Sequence, residues 1–516
     1  MTQVLGPDWA VNGLDSSGGR LPLSVEGPVM RAVERLAPGL SSVTRYTRYY
    51  ALYAALAAHA EHHDLDSQGS RRLVRRAEVI LAALSLDTPA ETPPGPAHGV
   101  DRVRSFCSDG GLELARAAAQ KQLQKTYSPR EWGFWAQYGG PSAVLGTARL
   151  VKGALRPGAR PCPPVVRQLF APVMDLAEHD SITPDQLESA RPAALQHPEQ
   201  PETGWLTDLM TATRSGAHDP DDWEPADRTR RASLRVIARA IALHGPTEPW
   251  SVEYLVGSAV AFGPALTDDQ VLLTVPQAAG WRGVLLRNYS VNAWRRLWAG
   301  LVSGIGSEHG EADRSREELR AWLADQVPQD RSVRAFVQDL PDPWDAHGHP
   351  APAERALLQD ADPRDPVTNL KLLLVGAQRG EPGRLSDEVR SIFLGHRRRG
   401  GEFLDPTWVL ARLQDHWDRP VRDLAAQLAD DMLAQSRRVA LSKLKIDSST
   451  GTVRTFSRLH QRNERYYKTG DEGDAEIGTR LRQLGSFGIQ LGLFERDEDG
   501  SWHITPKGST VLEVRQ

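Results

Sequence analysis

The run Ala475-Glu-Ile-Gly-Thr-Arg-Leu-Arg-Gln-Leu-Gly-Ser-Phe-Gly-Ile-Gln-Leu-Gly-Leu-Phe-Glu-Arg-Asp-Glu-Asp-Gly-Ser-Trp-His-Ile-Thr-Pro-Lys-Gly-Ser-Thr-Val-Leu-Glu-Val-Arg515 decides how the fold is read. Ile477, Leu481 and Leu484 recur at helical spacing, so residues 475–489 are expected to form a helix. Gly492-Leu493-Phe494-Glu495-Arg496 begins a strand, Asp497 to Ser501 turn around Gly500, and Trp502-His503-Ile504 return as a second strand. Thr505-Pro506-Lys507-Gly508 leads into a last helix over residues 509–515.

Upstream of this run the charge changes. Residues 431–470 hold nine basic side chains (Arg437, Arg438, Lys443, Lys445, Arg454, Arg458, Arg462, Arg465 and Lys468) against three acidic ones (Asp431, Asp447 and Glu464), a local +6 in a chain of formal charge -4. With so balanced a total, any nucleic-acid contact has to be local.

Working back toward the N-terminus, helical spacing returns at 420–441, 406–415, 387–395, 369–376, 332–340, 315–327, 290–304, 227–243, 184–195, 111–125, 71–86, about 42–63 and 29–36. Between these lie loop-like stretches at 88–99, 157–164 and 197–221, a strand-like run at 270–275, and an aromatic segment, 127–141, whose glycines and prolines argue against regular helix. The Pro-, Asp- and His-rich stretch 341–366 reads as a domain boundary. Four segments are expected: a helical domain at 1–155, a central helical domain at 156–345, a helical connector at 346–426 and a distinct C-terminal domain at 427–516.

A length of 516 residues leaves room for roughly two to four domains. Of the 62 basic residues 54 are arginine, and alanine is abundant, a bias typical of high-GC bacterial genes. Cys107 and Cys162 are too few for a disulfide scaffold or a four-thiolate zinc site, a usage that fits a reducing cytoplasm. No run of eighteen apolar residues and no charged-then-apolar leader is present, so a cytoplasmic protein without a membrane span is expected.

Catalytic spacings are missing. There is no Gly-Lys pair for a P-loop, no His-Glu-x-x-His, no Gly-x-Ser-x-Gly, and no lysine two residues after Asp, Glu or Gln as a restriction-type nuclease needs. No catalytic residue, metal site or cofactor is assigned. His59, His62 and His63 could place two imidazoles on one helix face, but a polar helix end is ordinarily just solvated. Asp345, His347 and His349 lie in the linker without a further ligand. Tyr46, Tyr49, Tyr50 and Tyr53 form one helical stripe, either a stacking platform for bases or an aromatic core seam, with the seam favoured. Arg228, Arg231, Arg235 and Arg239 line a helix face that could meet phosphates or pair with Asp219, Asp221, Asp222 and Glu224; His396 to Gly401 is a second cationic stretch. Trp294 and Trp298, one turn apart, are expected in a core or against a partner.

The Gly492-Leu493-Phe494 and Ile504-Thr505-Pro506-Lys507-Gly508 steps resemble those of winged-helix domains. The fold class is therefore read as mainly α: a multi-domain irregular helical body with a C-terminal winged-helix domain whose wing is small and two-stranded. The resemblance implies that the 475–489 helix would enter a major groove, presenting Thr479, Arg480, Arg482 and Gln483. One departure is the wing tip Asp497-Glu498-Asp499-Gly500, which phosphate repels; winged helices also dock proteins. With Ser42-Val-Thr-Arg-Tyr-Thr-Arg-Tyr-Tyr-Ala-Leu-Tyr53, the chain resembles bacterial proteins that accompany restriction or anti-phage genes. The expected function is a non-catalytic subunit of such a defence complex that binds or senses double-stranded DNA alongside other protein subunits. The alternatives are a protein-docking scaffold without DNA contact and, third, a metal-dependent nuclease of unfamiliar motif.

Overall fold

A computed structural model describes residues 21–89, 95–245, 251–306, 312–395, 403–446, 453–454 and 457–514. The chain is mainly α, with small two-stranded antiparallel sheets, one of them a C-terminal wing. It divides into two compact units, each discontinuous in sequence: residues 1–33 with 257–479, and 34–256 with 480–516.

In the first unit the helix Gln277–Ser303 is the axis. Its Trp281, Trp294 and Trp298 are buried, and the Trp294 indole N–H donates to the Leu404 carbonyl at 3.0 Å. Helices Pro366–Arg379 and Asp387–Leu394 pack on it. Glycine permits the closeness: a Cβ on Gly376 would collide with the Ser290 hydroxyl, and one on Gly283 would press on the Val389 carbonyl. Arg379, fully buried, forks onto both Glu354 oxygens at 2.7 Å and donates to the carbonyls of Pro343 and Ala351. The stretch 341–366, expected to separate domains, is thereby tied into this unit's interior, where Glu354 and two of its backbone carbonyls satisfy one arginine's donors. Helix Arg316–Ala324 lies on Val421–Ser442, with Arg316 and Arg320 both on Asp430.

In the second unit the helix Arg48–His62 is buried almost all round. Tyr46, Tyr49, Tyr50 and Tyr53 pack with Tyr138, Trp135 and Phe487 at ring separations of 5.0–6.2 Å. The stripe is the aromatic seam, and at 0–2 % exposure it stacks no bases. Beneath it Glu78 of helix Ser67–Ala83 accepts from the Tyr53 and Tyr127 hydroxyls and from the backbone N–H groups of Phe134 and Trp135; burial pushes its carboxyl above the usual range. A hairpin, Ala148–Val151 with Ala154–Pro157, lies against both helices, and Pro225–His244 supports Leu481–Gln490, Trp502–Ile504 and Pro506–Leu512.

Several expectations are corrected. Residues 111–125 are a short strand, the helix Leu114–Ala117 and a 3-10 turn, because Leu112 pairs with the Ile182 backbone, Gly111 sits at φ 113° and Gln122 is left-handed. The strand-like run at 270–275 holds the helix Gln270–Leu273, capped by the Asp269 carboxylate on the N–H groups of Val271 and Leu272. Gly139, Gly140 and Pro141 sit inside the helix Trp135–Leu145, where burial of Trp135 and Tyr138 outweighs poor propensity. The boundaries at 345 and 426 do not divide the compact units, and 427–516 is shared between the two.

Candidate nucleic-acid interface

The C-terminal wing forms as a ribbon of Phe494–Arg496 and Trp502–Ile504, in register Arg496 to Trp502 and Phe494 to Ile504. Phe494, Trp502 and Ile504 are buried, while Glu495 to Asp499 face solvent. The Asp497 carboxylate accepts from the Ser501 N–H at 2.8 Å and lies 3.1 Å from His503 Nε2, which together hold it below the usual carboxylate range. At the tip, then, an acidic side chain builds the turn.

The helix before the wing starts later than its spacing suggests. Residues 475–480 lie outside any helix, and Arg480, at φ 62°, caps the helix Leu481–Gln490 from the left-handed region. A left-handed residue cannot continue a helix, which is why the apolar spacing from Ile477 does not extend one. The polar face is occupied by the chain itself. Arg480 donates to the Leu40 carbonyl at 2.8 Å with Glu34 at 3.6 Å, and burial lowers its pKa. Gln483 donates to the Ser42 carbonyl and Gln490 to that of Arg45. Arg482 alone of the four expected base-reading residues is well exposed, near Glu253 at 3.4 Å; Thr479 is buried. The arrangement does not present Thr479, Arg480 and Gln483 to a groove.

The basic block belongs to the first unit and divides by what each cation meets. Lys468 is buried on Asp471 and the Ser303 carbonyl, Lys443 reaches the Leu21 carbonyl with its pKa lowered by burial, and Arg465 is held by Asp313 at 2.6 Å and Glu318 at 3.3 Å. Lys445 and Arg454 pair across a short ribbon. Arg437 and Arg438 are exposed on the last turns of Val421–Ser442, and Arg458 and Arg462 are half-exposed beside the hairpin Leu459–Arg462 and Arg465–Lys468. None of these four forms an ion pair among the described residues; Arg438 lies 3.8 Å over the Phe403 ring and Arg462 5.5 Å over Tyr467. Between helix and hairpin a small cleft of about 40 Å³ is lined by Arg437, Ser436, His460, Gln461 and Tyr466 together with the apolar Leu433, Ala440 and Leu459.

The other cationic features are absorbed by the fold. Arg231 donates to the carbonyls of Thr211 and Val511, Arg235 to that of Leu512, and Arg228 to that of Pro220, so this stripe seats the C-terminal helix of its own unit. Residues 396–401 lie outside the described residues. His59 and His63 lie with tilted rings 4.3 Å apart at the polar end of their helix, and the Asp345 carboxylate closes a turn on the N–H groups of His347 and His349. Among the described residues no group of three His, Cys, Asp or Glu is placed to hold a metal ion. Nor is any helix among them long and apolar enough to cross a membrane.

No family model matches this chain, and neither a curated protein nor a solved structure matches it.

Proposed function

We propose that this protein is a non-catalytic, DNA-binding subunit of a bacterial anti-phage or restriction-type defence complex. The observation that carries the DNA reading is the free cationic surface of the first unit. Arg437, Arg438, Arg458 and Arg462 form no ion pair among the described residues, in a block whose Lys443, Arg465 and Lys468 are spent on internal contacts. Unpaired guanidinium groups gathered on one helix end and an adjoining hairpin suit phosphate, whose neutralisation releases counterions. The defence setting rests on the sequence resemblance. The acidic wing tip and the self-covered helix Leu481–Gln490 favour a second reading, in which the C-terminal segment docks a protein subunit.

Fluorescence anisotropy with a labelled duplex, from roughly 50 to 200 mM salt, tests the first reading. The quadruple variant R437A/R438A/R458A/R462A is expected to bind all sequences more weakly and to flatten the salt slope by up to about one unit for each phosphate left without its arginine. Absence of binding by the intact protein at the low-salt end moves the assignment to the scaffold.

A further inference from the structure

Between Glu131 and Asp175 the chain carries five basic residues, Arg149, Lys152, Arg156, Arg160 and Arg167, and no acidic one. The hairpin Ala148–Val151 with Ala154–Pro157 belongs to this stretch, its returning strand packed on the helices Arg48–His62 and Ser67–Ala83. Its Lys152-Gly153 turn has both φ angles positive, 50° and 82°, the geometry that follows the natural twist of a ribbon. The returning strand is anchored: Ala154 and Leu155 are buried, and the Leu155 N–H donates to the Ser70 hydroxyl at 3.1 Å. The outgoing strand is turned to solvent. Arg149, Leu150, Val151 and Lys152 are all exposed, Leu150 by 43 % and Val151 by 40 %.

Two of the five cations are committed. Arg156 folds back onto the Leu65 and Leu155 carbonyls with Asp64 at 3.5 Å, and Arg160 covers the Trp223 ring near Asp227. Arg149, Lys152 and Arg167 form no ion pair among the described residues. Arg149 also stands directly opposite Arg156 in the ribbon, a like-charge register that disfavours the hairpin until an anion approaches.

We infer that this hairpin is a second contact for duplex DNA, an inference that rests on the DNA-binding reading above. Side chains alternate along a strand, so Arg149 and Val151 share one face of the ribbon and Leu150 lies on the other, which sets an exposed cation beside an exposed apolar side chain, the pair that a phosphate and its neighbouring sugar would meet. Arg149 and Lys152 meet phosphates, Val151 packs on a sugar beside Arg149, and Arg167 is a further exposed cation of the same acid-free stretch.

The test is anisotropy with one labelled duplex across roughly 50 to 200 mM salt for the intact protein, R149A/K152A/R167A and L150A/V151A. The cation variant is expected to bind at least about tenfold more weakly at low salt, with a slope shallower by about two to three units on every sequence tried. The apolar variant should lose about threefold with an unchanged slope, because no counterion is involved. All replaced side chains are exposed, so circular dichroism melting should be unaltered. Intact affinity and slope in the cation variant, while the unmodified protein binds, overturns the hairpin proposal and leaves the DNA reading standing. Failure of the unmodified protein to bind sinks the DNA reading, and the hairpin with it. Loss of binding to phosphatidylserine vesicles with DNA affinity retained would assign the ribbon to a membrane surface instead and overturn the inference.

Discussion

Two ribbons of the second unit invite comparison, the C-terminal wing and the hairpin at 148–157. Both are short, antiparallel and anchored by buried apolar side chains, Phe494 and Trp502 in one and Leu155 in the other. They differ at the tip. The wing ends in Asp497, Glu498 and Asp499 and spends one carboxylate on closing its own turn. The hairpin closes on backbone conformation alone, at Lys152 and Gly153, so its side chains are left for other uses. A tip that needs an acid to fold cannot easily be converted to a phosphate binder; one that folds by twist can carry any charge.

The comparison can be broken at four points, from the largest effect downward. Truncating the anchors should cost most: Phe494→Ala about 4 kcal/mol and Leu155→Ala about 3 kcal/mol in urea unfolding, since both side chains are essentially inaccessible. A cost below about 1 kcal/mol for either would show that ribbon to be loosely attached. Next, Gly508→Ala should cost about 2–3 kcal/mol, because a Cβ there collides with the Leu493 carbonyl that fixes where the wing meets its closing helix. In the hairpin, Gly153→Ala should cost only about 1 kcal/mol, the penalty of φ 82° with a soft contact to Ser67. If the two glycine variants cost the same, the distinction between a packed wing and a turn-determined hairpin fails. The smallest effect is electrostatic. Glu498→Gln/Asp499→Asn should raise duplex affinity about twofold at low salt and leave it unchanged near 0.2 M, where screening cuts off exposed charges beyond about 8 Å. A large gain that survives salt would mean the wing tip touches DNA directly.

The sequence made the C-terminal ribbon legible because its strands hold aromatic residues and its turn holds Gly500. It also marked the tyrosine stripe, whose period alone declares a helix with one aromatic face. The basic hairpin was not legible for two reasons. Its strands are four residues each and carry Ala and Pro, which no strand pattern favours. Its signal is a deficit: three free cations are unremarkable until one notices that no carboxylate stands within the 43 residues from 132 to 174. Counting basic residues instead singled out 431–470, where proximity in sequence hid the fact that Arg465 and Lys468 already had acidic partners. The last long helix starts later than its apolar spacing for a backbone reason. Arg480 in the left-handed region is invisible to a periodicity argument, and Gln483 at the right spacing for a groove is also at the right spacing for the Ser42 carbonyl.

The interleaving of the two units also sets a schedule for synthesis. The unit begun at residue 34 is interrupted at 256, and the residues that complete it arrive only from 480 onward, 223 residues later. At the usual 5–20 residues per second the ribosome takes roughly 10–45 s to cross that interval. During that wait Tyr50 lacks Phe487 and Pro225–His244 lacks the wing, so apolar surface destined for burial stands open while the intervening unit emerges and can fold. Yield in cells should therefore depend on chaperone supply more than the stability of the finished molecule would suggest. A stop codon placed before residue 480 should leave an insoluble chain, since half of its mass would be waiting for a part that never comes.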